Sequence, residues 1–312
     1  MMKRLLIASE KSASLLGKDF GICFYNEALE NAVNRETDIR DALSRIAACE
    51  ESDELYLQYQ PIIDLHTNSI SCFEVLARLK TENLGIVSPL EFIPIAEKTK
   101  LILPIGERVI LLAFRFMQKL KERGYEHIGV SINVSAIQLF EPNFVYRLFE
   151  LIENTGVNPK NIIIEITESI LANDYEYINI ILENLRNSGL QVAIDDFGIG
   201  YSSLARVNEL NVDSLKIDKY FVSTLMDSDR GNAIICDIIS MSHKLGHYTV
   251  AEGVEHECQL EYLKRHSCDK IQGYLVSMPL DEKDAFEFLS AHKNNNEKSE
   301  EVGNNEENTC FV

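Results

Sequence analysis

Two adjacent aspartates, Asp195 and Asp196, close the apolar run LQVAI at residues 190–194 and open the glycine-rich stretch DDFGIGYSSL. Neighbouring residues on a regular strand face opposite ways, and two buried like charges repel. Both carboxylates can serve one centre if the strand ends there and a cation lies between them. Seven more short apolar runs carry a polar group near one end: Gln60, Glu74, Asn133, Glu165, Lys216, Glu252 and Gln272. Glu74, Asn133, Glu165 and Asp195 form an all-oxygen donor set of the kind Mg²⁺ or Mn²⁺ prefers. Asp196 and Glu252 are then available for a second ion, with Asp195 bridging. Two such ions, about 3.5–4 Å apart, activate a water and stabilise the leaving oxygen of an in-line displacement. Lys216 is the lone base of the set; cations nearby would lower its pKa, fitting it to orient or deprotonate that water. A plain salt bridge to Asp195 or Glu252 accounts for it equally. Arg78, four residues after Glu74 and on the same strand face, has the planar fork that clamps a phosphate.

The runs that position these groups lie at residues 55–62, 69–79, 127–135, 161–169, 190–198, 212–218, 247–255 and 269–277, giving eight expected strands. Most intervening segments have helical periodicity, as in GERVILLAFRFMQKLKERG and YINIILENLRNSG, the latter stopped by Gly189. The first two strands are too close for an intervening helix and read as a hairpin. Thereafter the alternation implies right-handed βαβ units and a mostly parallel sheet. Eight strands in this length fit a (β/α)₈ barrel, with a doubly wound open sheet as the alternative. A parallel barrel gathers its strand ends on one rim, which is where this polar set would meet.

Two other patterns carry less. GIGYSS invites comparison with a dinucleotide fingerprint, but its third glycine is missing and two aspartates stand where a pyrophosphate would approach. His243 and His247 are four apart with Gly246 between them and no obvious acidic third ligand for zinc.

The 312 residues carry a net charge of −19, which argues against duplex nucleic acid as the main partner. An anionic small molecule stays compatible if metal ions or a local arginine offset the acidity. Seven scattered cysteines without a C-x-x-C pair suit a reducing compartment, and no apolar run approaches the roughly 20 residues of a spanning helix. The expectation is a cytoplasmic protein. Residues 1–50 read as an extension: a short helix and a strand within 1–24, then a long amphipathic helix with Leu29, Val33, Ile39, Leu43 and Ile46 on its stripe. Residues 51–291 form the expected barrel domain, and 292–312 an acidic, disordered tail.

The rim set resembles the EAL-domain family of cyclic-di-GMP phosphodiesterases over roughly residues 51–291. The motifs are YQPI, FEVLAR, INVS, EITES, DDFGIGYSSL, LKID, AEGVE and QGYL. The resemblance implies a (β/α)₈, TIM-type barrel with its first strand antiparallel, and Mg²⁺- or Mn²⁺-dependent opening of cyclic-di-GMP to linear pGpG. It implies a first metal site of Glu74, Asn133, Glu165 and Asp195, and a second of Asp195, Asp196 and Glu252. Lys216 takes the place of the lysine near the catalytic water; Gln60, Arg78 and Gln272 match positions that face substrate. Glu168 matches a glutamate bracing the glycine loop, and Glu255 an acidic residue at the site's edge. A homodimer is implied at the family level. The chain departs from the pattern in its Glu-Val-Leu triplet, at Ala77 and Lys80, and at Ile199, where threonine is usual in a loop that links the metal site to dimer contacts. FGICFYNEALENAVNRETDIRDAL resembles the connector that often follows a diguanylate-cyclase-type (GGDEF) domain, implying upstream regulatory domains. A silent cyclic-di-GMP receptor or a protein–protein adaptor is the alternative function; a complete acidic set with Lys216 favours catalysis over both.

Overall fold

The computed structural model describes residues 26–49, 52–172, 174–198, 209–225 and 229–292. The short helix and strand expected within 1–24, Ile199 with the rest of its loop, and the tail beyond 292 lie outside them. The chain divides into two compact units, residues 1–56 with 78–105 and residues 57–77 with 106–312.

The first unit is built on helix α1 (Glu27–Ala48), which starts where the Asn26 side chain accepts from the Leu29 N–H at 2.7 Å. Its apolar stripe is only half used: Ile39, Ala42, Leu43 and Ile46 are buried, whereas Leu29 and Val33 are partly exposed. Helix α2 (Pro89–Lys98) begins with proline at its first position and joins α1 through Arg35–Glu91 and through Lys98–Glu36 at 2.7 Å. A three-residue strand, β3 (Gly85–Val87), pairs antiparallel with residues 79–81. It is too short to show a period, so the sequence pattern does not reveal it.

The second unit contains most of the barrel, residues 55–56 and 78–81 of its strands belonging to the first. Its strands are β1 (Leu55–Asp64), β2 (Ser69–Thr81), β4 (Gly129–Asn133), β5 (Ile162–Thr167), β6 (Gln191–Phe197), β7 (Ser214–Ile217), β8 (Tyr248–Ala251) and β9 (Lys270–Ile271). They follow the order β1-β9-β8-β7-β6-β5-β4-β2, and pairing of β1 with β2 closes the ring. Closure excludes the open doubly wound sheet. All neighbours from β2 round to β9 are parallel, and β1 runs antiparallel to β9, as the hairpin reading and the resemblance both imply. All eight expected strands are present. The expected helices are also found, as α3 (Ile102–Glu122) and α6 (Tyr175–Asn187); α4 (Ala136–Leu139) and α5 (Phe144–Thr155) lie between them.

Alternation along each strand sorts two cores. One set of residues, including Phe73, Val130, Ile132, Ile162, Ile164, Val192, Ile194 and Leu215, joins Phe114, Phe116 and Leu182 in the layer between strands and helices. Full burial of each such side chain contributes about 1.5–3 kcal/mol. Tyr59 of β1 stacks on Phe116 at 3.8 Å between ring centroids, and Phe73 meets Phe116 edge-on at 5.8 Å, pinning the antiparallel strand to α3. The other set, Ile62, Cys72, Ile163, Ala193 and Val250, forms a separate cluster inside the ring. One step of two residues beyond each lies a polar group: Gln60, Glu74, Glu165, Asp195 and Glu252. No helix among the described residues is long and apolar enough to cross a membrane.

Candidate active site at the barrel rim

The strand period carries an apolar plug at one level and the polar groups at the next. Because β1 is antiparallel, its rim residue Gln60 precedes the plug residue Ile62, whereas Glu74 follows Cys72 on β2. Lys216 on β7 is 1% exposed and sits at the centre of the group. Its Nζ lies 2.6 Å from Glu252, 2.9 Å from Glu165, 3.3 Å from Asp195 and 3.6 Å from Glu74. Glu74 accepts from Asn133 Nδ2 at 2.7 Å and from Gln272 Nε2 at 2.5 Å, and the same Gln272 nitrogen reaches Gln60 Oε1 at 3.0 Å. The Gln272 Oε1 is buried without a partner among the described residues. The salt bridges anticipated for Lys216 are therefore present, to four carboxylates.

The adjacent aspartates meet at one centre because β6 is irregular there. Its register with β7 shifts between Ile194 and Phe197, and Asp196 has a left-handed backbone (φ 55°). The bend turns the second carboxylate to the same rim, and ligand oxygens of Asp195, Asp196 and Glu252 all lie within 4.8 Å of one another. Gly198 follows at φ 101°, where a Cβ would stand 2.7 Å from the Phe221 ring. Its N–H donates to Glu168 Oε2 at 2.9 Å, so Glu168, itself buried, holds the point where the glycine stretch leaves the strand. Glu255 is exposed in the segment after β8 and lines a cleft of about 490 Å³ with Lys219, Tyr220 and His256. Arg78 falls on the last part of β2, in the first unit.

Crowding of like charge shifts these groups. Burial pushes Glu165 well above the usual carboxylate range, with Glu74 and Asp195 adding to the push and Lys216 opposing it. Burial likewise takes Glu252 up to about 8, and takes Asp196 to about 6 with help from Asp195 and Asp218. Burial also acts upward on Glu74, but Lys216 and the amide donors Gln272 and Asn133 outweigh it and leave that carboxyl lowered. Burial alone would lower Lys216; Glu165, Glu252, Glu74 and Asp195 together hold it raised and charged. The lowering expected of it would require cations at the same rim. The donors are oxygens throughout, and the excess negative charge fits one or more hard cations.

Two residues of this site escaped the sequence reading. Ser131, two before Asn133 on β4, donates to Glu165 Oε1 at 2.6 Å. Asp218, two after Lys216, adds negative charge beside Asp196 and accepts from the Tyr220 N–H at 2.6 Å at the start of helix α7 (Lys219–Thr224). The period of two was the available signal for both. His243 is paired with Asp269 at 2.8 Å.

Known proteins share this fold. The model of the EAL domain family matches residues 38–279. The chain is 33% identical over 264 residues (83% of its length) to MucR of Pseudomonas aeruginosa, a bifunctional diguanylate cyclase/cyclic di-GMP phosphodiesterase. It is 35% identical over 258 residues, again 83% of its length, to the cyclic di-GMP phosphodiesterase NbdA of the same species. It spans 38% and 32% of the lengths of these two relatives. The solved structure of the MucR phosphodiesterase in complex with c-di-GMP superposes with a TM-score of 0.74 at 34% identity, covering 80% of this chain and 98% of that one. On the rim constellation, the closed barrel with one antiparallel strand and these matches, the chain belongs to the EAL domain family.

Proposed function

We propose that the chain is a divalent-metal-dependent phosphodiesterase that hydrolyses cyclic-di-GMP to linear pGpG. The observation that carries the reading is the buried Lys216 ammonium amid four carboxylates, beside the Asp195–Asp196–Glu252 cluster. A passive binding surface has no need of so much concentrated and mutually repelling charge. Glu74, Asn133, Glu165 and Asp195 would hold one Mg²⁺ or Mn²⁺ ion, and Asp195, Asp196 and Glu252 a second. Bound there, the ions supply an activated water and offset the charge of the phosphodiester. The protein's own part is orientation and proton handling. Lys216, within 3.3 Å of Glu252, Glu165 and Asp195, keeps these three carboxylates aimed at one point and is placed to orient the attacking water. Gln60 and Gln272 form an amide pair at the edge of the ligand set, and the unpartnered Gln272 Oε1 is an acceptor for substrate or water. Glu168 fixes the exit of β6 at Gly198, and Glu255, in the segment after β8, would stand at the site's edge.

The test is incubation of purified protein with cyclic-di-GMP and Mg²⁺ or Mn²⁺, with and without EDTA, followed by chromatography. EDTA-sensitive pGpG is the expected result. Metal-dependent binding without product would replace the enzyme with a receptor, and absence of both would leave an adaptor.

A further inference from the structure

We infer that Ser131 is a positioning residue: its hydroxyl commits one oxygen of Glu165 so that the other is presented to the rim cluster. The inference rests on the proposed metal-dependent reading. Ser131 lies on β4 on the same face as Asn133, and strand register places Asn133 opposite Glu165 and Ser131 opposite Ile163, one level below. The serine and Glu165 are each only 1% exposed. The Ser131 Oγ donates to Glu165 Oε1 at 2.6 Å, and Lys216 Nζ reaches Glu165 Oε2 at 2.9 Å. Both oxygens are thus assigned. Oε1 is fixed from below by a neutral donor that no cation displaces, and Oε2 faces the Lys216 ammonium, which in turn reaches Asp195 and Glu252. A glutamate side chain has three rotatable bonds, and near Glu74 and Asp195 it is repelled from either side. Without the hydroxyl the carboxylate can rotate, and a ligand oxygen no longer has a fixed place. Partners that orient a ligand in this way typically change metal affinity by about 10–100-fold when removed.

The experiment is calorimetric Mn²⁺ titration of the purified chain without substrate, for wild type, Ser131→Ala and Ser131→Cys, with kcat and KM for cyclic-di-GMP measured alongside. Alanine removes both the donor and its volume, whereas cysteine keeps the volume and is a weak donor. The expected result is Mn²⁺ binding weakened about 10-fold or more in both variants, with kcat reduced and KM for the nucleotide within about twofold of wild type. Wild-type Mn²⁺ affinity in Ser131→Ala, or in Ser131→Cys alone, overturns the inference; the second outcome would show that the site needs the volume and not the hydroxyl. Failure of the wild type itself to bind Mn²⁺ would instead sink the metal-dependent reading, and the inference with it. Should Ser131→Ala fail to fold, the cysteine variant decides.

Discussion

A single ammonium reconciles the barrel rim with itself. Lys216 neutralises part of a cage in which Glu165 and Glu74 have almost no contact with water. Removing one partner of a buried ion pair costs about 3–5 kcal/mol because it strands the other charge. Lys216→Met should therefore lower the melting temperature of the metal-free protein, and Mn²⁺ should restore most of the loss by taking the vacated charge. Turnover should fall at least about 100-fold, since proton transfer loses its orienting group. Melting curves with and without Mn²⁺, beside product chromatography, check both parts; a variant as stable as wild type without metal would contradict the cage. The titration of the same groups gives a second expectation. Glu252 rises from 4.5 to about 8 on folding and Asp196 from 3.8 to about 6. The metal-free native state thus keeps protons that the unfolded chain has released. Their stabilising contribution is complete below about pH 4 and is lost as pH rises through 6 and then 8. Metal-free protein should melt lower at pH 8.5 than at pH 6, and Glu252→Gln should flatten that slope. Cation affinity should rise over the same window, because each ligand sheds its proton on binding. Lys216 and the carboxylates were legible in the sequence because each closes an apolar run. Ser131 was not, since a serine inside a strand reads as ordinary filler until its partner is seen 2.6 Å away.

At the scale of the element, the irregular end of β6 does what a regular strand cannot. The register shift and the left-handed Asp196 bring consecutive carboxylates to one centre, and the sequence supplied the question without the bend that answers it. A one-residue irregularity leaves no trace in hydrophobic periodicity; the apolar run LQVAI looks the same with or without it. The antiparallel sense of β1 was readable only indirectly, from the short hairpin link to β2. Gly198 is the hinge of this arrangement, with φ 101° and a Cβ position 2.7 Å from Phe221. Gly198→Ala has to move the Phe221 ring and hold an unfavourable backbone, a combined cost of at least about 1 kcal/mol. Melting should drop by at least about 2–4 °C. Activity should drop further than Mn²⁺ binding does, because the Glu168 contact and the exit of the strand move while the ligands on β2, β4 and β5 stay in place. Equal loss of binding and turnover would show that the glycine serves the metal ligands themselves.

For the whole molecule, the contest is between a net charge of −19 and a proposed substrate that carries two phosphodiester charges. Composition made this conflict visible from the outset, and it made the fold no clearer, because net charge speaks to partners and solubility and not to architecture. The spacing of eight apolar runs narrowed the fold to a (β/α)₈ barrel or a doubly wound sheet, and the family resemblance implied the barrel. The division of the chain into two compact units had no marker in the sequence, since its boundary at residue 78 falls inside β2. The charge does decide how binding responds to salt. Proteins that hold nucleic acid through lysine and arginine lose affinity as salt rises. Here the sign is reversed: in the metal-free protein, the rim and the bulk charge both repel cyclic-di-GMP, and added salt screens that repulsion over a Debye length that shrinks from about 30 Å at 0.01 M to about 8 Å at 0.15 M. Equilibrium titration with the nucleotide in EDTA should show weak affinity that improves as KCl increases. With saturating Mn²⁺ and an inactive Lys216→Met protein, affinity should be higher and its salt dependence smaller or opposite in sign, because bound cations reverse the local field. A metal-free protein that binds more tightly at low salt would place a positive path to the site that the rim residues do not provide.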